Sequence, residues 1–159
     1  MFRIKKTVAF SLLTVLFLLI FNVPNVFAAP PLALHIEVVE FTIGPTPDTF
    51  YASGPAVDDG LVCGTGAVSD VGGTSHGNPN GPFKTFKVLK HFICGDGSGT
   101  FDIEMNVKLD NVSHETTAQW KIVGGTDDYA QLKGNGLLIG TPEVEPGSII
   151  TDFYDGKVH

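Results

Sequence analysis

The chain has 159 residues, 43% of them hydrophobic, with 10 basic residues against 17 acidic ones and two cysteines. Three of the basic residues, Arg3, Lys5 and Lys6, sit at the N-terminus, so the remainder carries 7 lysines, no arginine and 17 acids, a formal charge of −10. Binding nucleic acid requires cations that neutralise phosphates, and this composition argues against it; the acidity reads as solubility outside the cell.

In chain order, 1–28 has the three parts of a secretory signal: the basic start, an uncharged apolar run from Val8 to Phe21, and small residues at a cleavage point after Ala28. The run is 14 residues, short of the ~20 that a membrane-spanning helix needs. Cleavage would leave 131 residues, a single domain with no membrane anchor, in the extracellular space or a periplasm. Residues 29–34, with Pro30 and Pro31, read as an extended leader, and the domain as 35–159.

Beyond the leader, apolar and polar residues alternate between glycine-rich punctuation, which is the pattern of half-buried strands. Candidate strands are His35–Ile43, Thr49–Ser53, Leu61–Ser69, Phe83–Cys94, Phe101–Asp110, Ala118–Ile122, Tyr129–Ile139 and Ser148–Lys157. The clearest sets Phe101, Ile103, Met105, Val107 and Leu109 against Asp102, Glu104, Asn106, Lys108 and Asp110, one face dry and one wet. Between the third and fourth, Asp70–Pro82 is dominated by Gly, Ser, Asn and Pro and reads as a mobile loop. All 19 glycines follow the signal, and many lie inside strand-like runs, where glycine marks bulges and bends. The expected fold is therefore all-β, an eight-stranded antiparallel β-barrel, since closure removes the edges along which secreted strands aggregate.

Cys63 and Cys94 belong to a chain bound for an oxidising compartment, where a disulfide is the default; two buried free thiols are the alternative. Asn111-Val112-Ser113 is a formal glycosylation sequon, relevant only in a host that glycosylates.

From Gly95 the chain reads Gly-Asp-Gly-Ser-Gly-Thr-Phe, then Trp120-Lys-Ile-Val-Gly-Gly-Thr, then Tyr129-Ala-Gln-Leu-Lys-Gly-Asn-Gly. Over roughly the last 65 residues this resembles the barrel shared by allene oxide cyclases, dirigent proteins and secreted bacterial domains of unassigned role. The resemblance implies a calycin-like barrel in which Gly124 and Gly125 form a tight hairpin with positive φ, while Gly134 and Gly136 leave room for close packing. Asp127 stands where the family often continues with glycine. The resemblance also implies either a cyclase or dirigent-type enzyme guiding a reactive intermediate, or a trimer-like homo-oligomer, but no catalytic residue carries over position for position.

Chemistry is sparse. Trp120, the sole tryptophan, falls on the apolar face of its strand and lines either a cavity or plain core. Asp152 and Tyr154 share a face, with Phe153 and Asp155 on the other, and either pair could enter the lumen; an aspartate inside a dry barrel would have a raised pKa and could move a proton, whereas one at the rim would be exposed. The histidines at 35, 76, 91, 114 and 159 are scattered singly, so no metal or cofactor is expected. Asp58-Asp59 and Asp127-Asp128 read as solvated turns, and there is no nucleophile elbow. The expected role is a secreted barrel that binds a small apolar molecule or a protein partner, with the enzyme and a structural matrix protein as alternatives.

Overall fold

The computed structural model describes residues 29–41, 46–76, 81–141, 147 and 149–159; the expected signal peptide, 1–28, lies outside them. Eight strands, β1 (Leu32–Phe41), β2 (Asp48–Ser53), β3 (Thr65–His76), β4 (Phe83–Cys94), β5 (Thr100–Asp110), β6 (Thr116–Gly125), β7 (Gly134–Gly140) and β8 (Ile149–Val158), close into one barrel in sequence order. Every neighbouring pair is antiparallel, and β1 returns to β8 over ten residue pairs, from Leu32 against Val158 to Phe41 against Ile149. Closure leaves no free edge strand among the eight.

Alternation decides the inner wall. Leu34, Ile36 and Val38 of β1, Phe101, Ile103 and Met105 of β5, and Trp120 and Ile122 of β6 are all buried, while the residues between them face outward. One half of the lumen is packed by rings: Phe92 stacks on Phe101 at 4.8 Å between centroids, Phe50 meets both edge-on, and Tyr154 stands edge-on to Phe92 at 6.2 Å. The near end of the barrel is plugged. A short helix, α1 (Pro55–Asp58), and the segment after it bury Ala56, Val62 and Cys63, while a 3-10 turn (Asp127–Tyr129) brings in Tyr129, followed by Leu132.

Cys63 and Cys94 form a disulfide with Cα atoms 5.9 Å apart, tying the plug to the end of β4. Its 31-residue separation limits the unfolded chain, so reduction, or Cys63→Ser with Cys94→Ser, is expected to cost roughly 3 kcal/mol. Denaturant unfolding with and without reductant measures this; unchanged midpoints would contradict it.

Several sequence expectations need correction. Asp70–Pro82 is not a loop throughout: β3 continues to His76, paired with β4 from Asp70 against Lys90 to His76 against Thr85, with a bulge between Asp70 and Gly72. Beyond Val68 this stretch pairs with β4 alone and is exposed on both faces, so it needs no apolar residues and leaves no alternation to read. The backbone ladder holds it instead; 77–80 lie outside the described residues. The leader is shorter than expected, because Leu32–Leu34 already pair with β8. Leu61–Gly64 belong to the plug and not to a strand, and Tyr129–Lys133 precede β7.

Gly124 and Gly125 do not form a hairpin with positive φ. They end β6, opposite Asp102 and Phe101. A Cβ on Gly125 would run into the carbonyl oxygens of Tyr129 and Thr100, so glycine is there for close approach, and the left-handed residue is Asp127, at φ 51°. The expected turn at Gly95–Gly99 is present, with Gly97 and Gly99 at positive φ and the Asp96 carboxylate accepting from the Ser98 backbone N–H at 2.9 Å.

Candidate functional site

The inward phase of each strand continues past the aromatic layer toward the unplugged end, and there it changes character. On β1 the series Leu34, Ile36, Val38 runs on to Glu40; on β4, Cys94 and Phe92 are followed by Lys90, Val88 and Lys84; on β8, Val158, Gly156 and Tyr154 lead to Asp152 and Ile150. Together they enclose a cavity of about 620 Å³ open at the mouth, within the range of small-molecule sites. Its walls are aliphatic: Val88, Met105, Val107, Leu109, Leu138 and Ile150. Asn111, His114, Thr116 and Thr141 stand among the polar residues that complete the lining.

The floor is charged. The Lys90 side chain is 5% exposed, and its ammonium donates to Glu40 Oε1 at 2.6 Å and lies 2.8 Å from Asp70 Oδ1. Burial alone would pull the lysine down, but the two carboxylates outweigh it and hold its pKa above the usual value, so Lys90 stays charged. Asp152 lies beside them, hydrogen-bonded to Glu40. Its pKa is pushed up to about 7, by burial first and by the Glu40 carboxylate next, against the opposing pull of Lys90. Asp152 therefore keeps its proton up to near neutrality, held beside the Glu40 carboxylate. Gly140 makes this possible: a Cβ there would collide with the Asp152 carboxyl and the Thr116 hydroxyl.

One inward step deeper on β8, Tyr154 is fully buried, and its hydroxyl donates to Met105 Sδ at 3.9 Å. Burial, and then the carboxylates of Asp152, Glu40 and Asp70, push its pKa well up, so it remains a neutral phenol. Asp152 and Tyr154 thus both enter the lumen, Asp152 at the cavity floor and Tyr154 beneath it. Trp120 does not line the cavity. Its ring sits in the packed half, 6.4 Å from that of Tyr154, and its indole N–H donates to the Leu137 carbonyl at 3.0 Å through the barrel wall. Asn111 is in the turn after β5 with its side-chain N–H₂ donating to the Gly81 carbonyl at 2.6 Å, a bond that a glycan on that nitrogen would weaken.

Sequence reasoning missed Glu40 and Lys90. A signal existed: each is a charged residue in the buried phase of an otherwise apolar series, Leu34-Ile36-Val38-Glu40 and Val88-Lys90-Phe92.

The raised Asp152 pKa sets a pH dependence. The folded state holds a proton up to about pH 7 that the unfolded chain releases near 3.8, so the folded state is favoured at low pH and loses that advantage as pH rises between those values. The loss is about 1 kcal/mol per pH unit and levels off above pH 7. Asp152→Asn, which cannot ionise, is expected to flatten this part of the curve, so that the variant gains on the wild type from pH 5 to pH 8. Chemical denaturation across that interval checks this, and parallel curves would contradict it.

A scan against family models finds no match for this chain, and searches of curated proteins and of solved structures likewise find none.

Proposed function

We propose that the barrel binds a small, mostly apolar molecule in the lumen at its open end, with the molecule's polar end on the Glu40, Lys90 and Asp152 floor. The observation that supports this most is the contrast within one lumen: half is filled by rings, while the other half is an aliphatic-walled cavity of about 620 Å³ ending on convergent polar groups. A structural barrel gains nothing from leaving that space open above buried charges, which are costly to hold there. The disulfide is consistent with action in an extracellular or periplasmic compartment.

Binding of prodan, a neutral naphthalene fluorophore, tests the reading. Saturable binding is expected, and Val107→Trp, which fills the cavity, should weaken it tenfold or more, while Leu137→Ser on the outer wall leaves it within twofold. No saturable binding, or equal loss in both variants, would contradict lumenal binding.

A second reading has one observation in its favour. A carboxyl that titrates near 7 beside a second carboxyl can give or take a proton at working pH, as a cyclase or dirigent-type enzyme would require. The closed up-and-down order of eight antiparallel strands suits that resemblance but is shared by barrels of many activities. Conversion of a bound ligand, lost in Asp152→Asn, would favour the enzyme. Self-association is supported by exposed apolar residues on the outer wall, Leu137 and Ile139 of β7 among them, and a strict monomer on sizing at high concentration would remove it.

A further inference from the structure

Resting on the lumenal reading, we propose that the molecule taken by this cavity is an amphiphilic amine, with its apolar tail against Val88, Val107 and Leu138 and its protonated nitrogen against the Glu40–Asp152 pair. The charges at the floor carry this. Among the described residues, three carboxyl groups, Glu40 from β1, Asp70 from β3 and Asp152 from β8, face one ammonium, that of Lys90 from β4, and Lys90 is already committed to Glu40 and Asp70. Glu40 and Asp70 have Lys90 as their counter-ion, so Asp152 is the carboxyl that needs another, and in the empty cavity a proton supplies that charge. The next cation inside the lumen, Lys84, is six residues along β4, roughly 20 Å away at strand rise, at the rim with His114.

The other head groups fit less well. A carboxylate would meet a negative floor whose single cation is in use, and an alcohol brings no charge that could replace the proton on Asp152. An ammonium is donor-only with three N–H groups, and the floor is rich in acceptors. On binding, the ligand's positive nitrogen takes the place of the proton held by Asp152, and that proton passes to buffer. The walls suit an alkyl or terpenoid tail, since the apolar side chains that line them among the described residues are all aliphatic.

Displacement of prodan by octylamine, 1-octanol and octanoate at pH 7 tests this. Octylamine is expected to displace the dye at a concentration tenfold or more below octanol, with octanoate weakest. Asp152→Asn should cut the amine's advantage to twofold or less while octanol stays within twofold of wild type. A second readout does not depend on the variant folding: calorimetry of the wild type at pH 6, in two buffers of different ionisation enthalpy, should show octylamine binding releasing close to one proton and octanol releasing none. Octanoate equal to octylamine, an amine advantage that survives in Asp152→Asn, or amine binding without proton release would each overturn the proposal. Prodan binding with no amine preference would remove the amine alone, whereas failure of prodan to bind at all would remove the lumenal reading with it.

Discussion

Gly136→Ala is expected to destabilise the barrel by roughly 4 kcal/mol or more, at the upper end of overpacking effects. Gly136 on β7 and Gly156 on β8 face each other across the ladder, both beneath the Trp120 ring. A Cβ on Gly136 would collide with the Asp155 carbonyl oxygen and lie 2.7 Å from both the Gly156 Cα and Trp120 Cζ2. One on Gly156 would meet the Asn135 carbonyl oxygen and lie 2.8 Å from Trp120 Cη2. The carbonyl belongs to the barrel wall and cannot rotate away, so trimming the indole relieves only part of the conflict. Gly136→Ala combined with Trp120→Leu should therefore recover less than half of the loss, and Gly136→Ala with Gly156→Ala should yield no folded barrel. Denaturant midpoints decide the first two, and circular dichroism the third. A Gly136→Ala variant within 1 kcal/mol of wild type would show that the wall yields at this point.

Lys90→Met is the second large effect, with an expected loss of roughly 4 kcal/mol at pH 7, as for other buried pairs broken from one side. Methionine replaces the lysine stem at similar volume but leaves the Glu40 carboxylate, 22% exposed, without its 2.6 Å partner and beside Asp152. Asp70, 61% exposed, is solvated and contributes little to the loss. Below pH 4 the stranded acids take up protons, so the deficit should shrink there. Lys90→Met with Glu40→Gln, which removes both charges, should recover most of the stability at pH 7. A deficit that is the same at pH 3 and pH 7 would mean that packing, and not the loss of charge pairing, accounts for it.

How far the fold was legible depended on whether each residue faced two different solvents. β5 separates a dry lumen from water along its length, and its alternation gave its limits to within one residue; β4 was legible from end to end for the same reason. The outer half of β3 has water on both sides, so its side chains carry no signal, and it read as a loop. The plug around α1 was missed because a four-residue helix has no period to detect. That Asp152 and Tyr154 face the same way follows from their shared phase, but that they and not Phe153 and Asp155 enter the lumen does not, and the site also depends on Glu40 and Lys90, which come from β1 and β4, 50 residues apart in sequence. Which charged residues meet across the lumen is set by strand order and stagger, and a single strand's pattern does not hold that information. Trp120 shows the converse: its phase placed it inside, but only the position of the plug shows that its layer is packed and not open.

The most direct measurement is methyl NMR of the protein titrated with prodan. Lumenal binding predicts shifts concentrated on the cavity methyls of Met105, Val107, Leu138 and Ile150, with Leu137 and Ile139 on the outside of the same wall unmoved. Shifts confined to Leu137 and Ile139, with the four lumenal methyls unchanged at saturation, would place binding on the outer face and contradict a lumenal site.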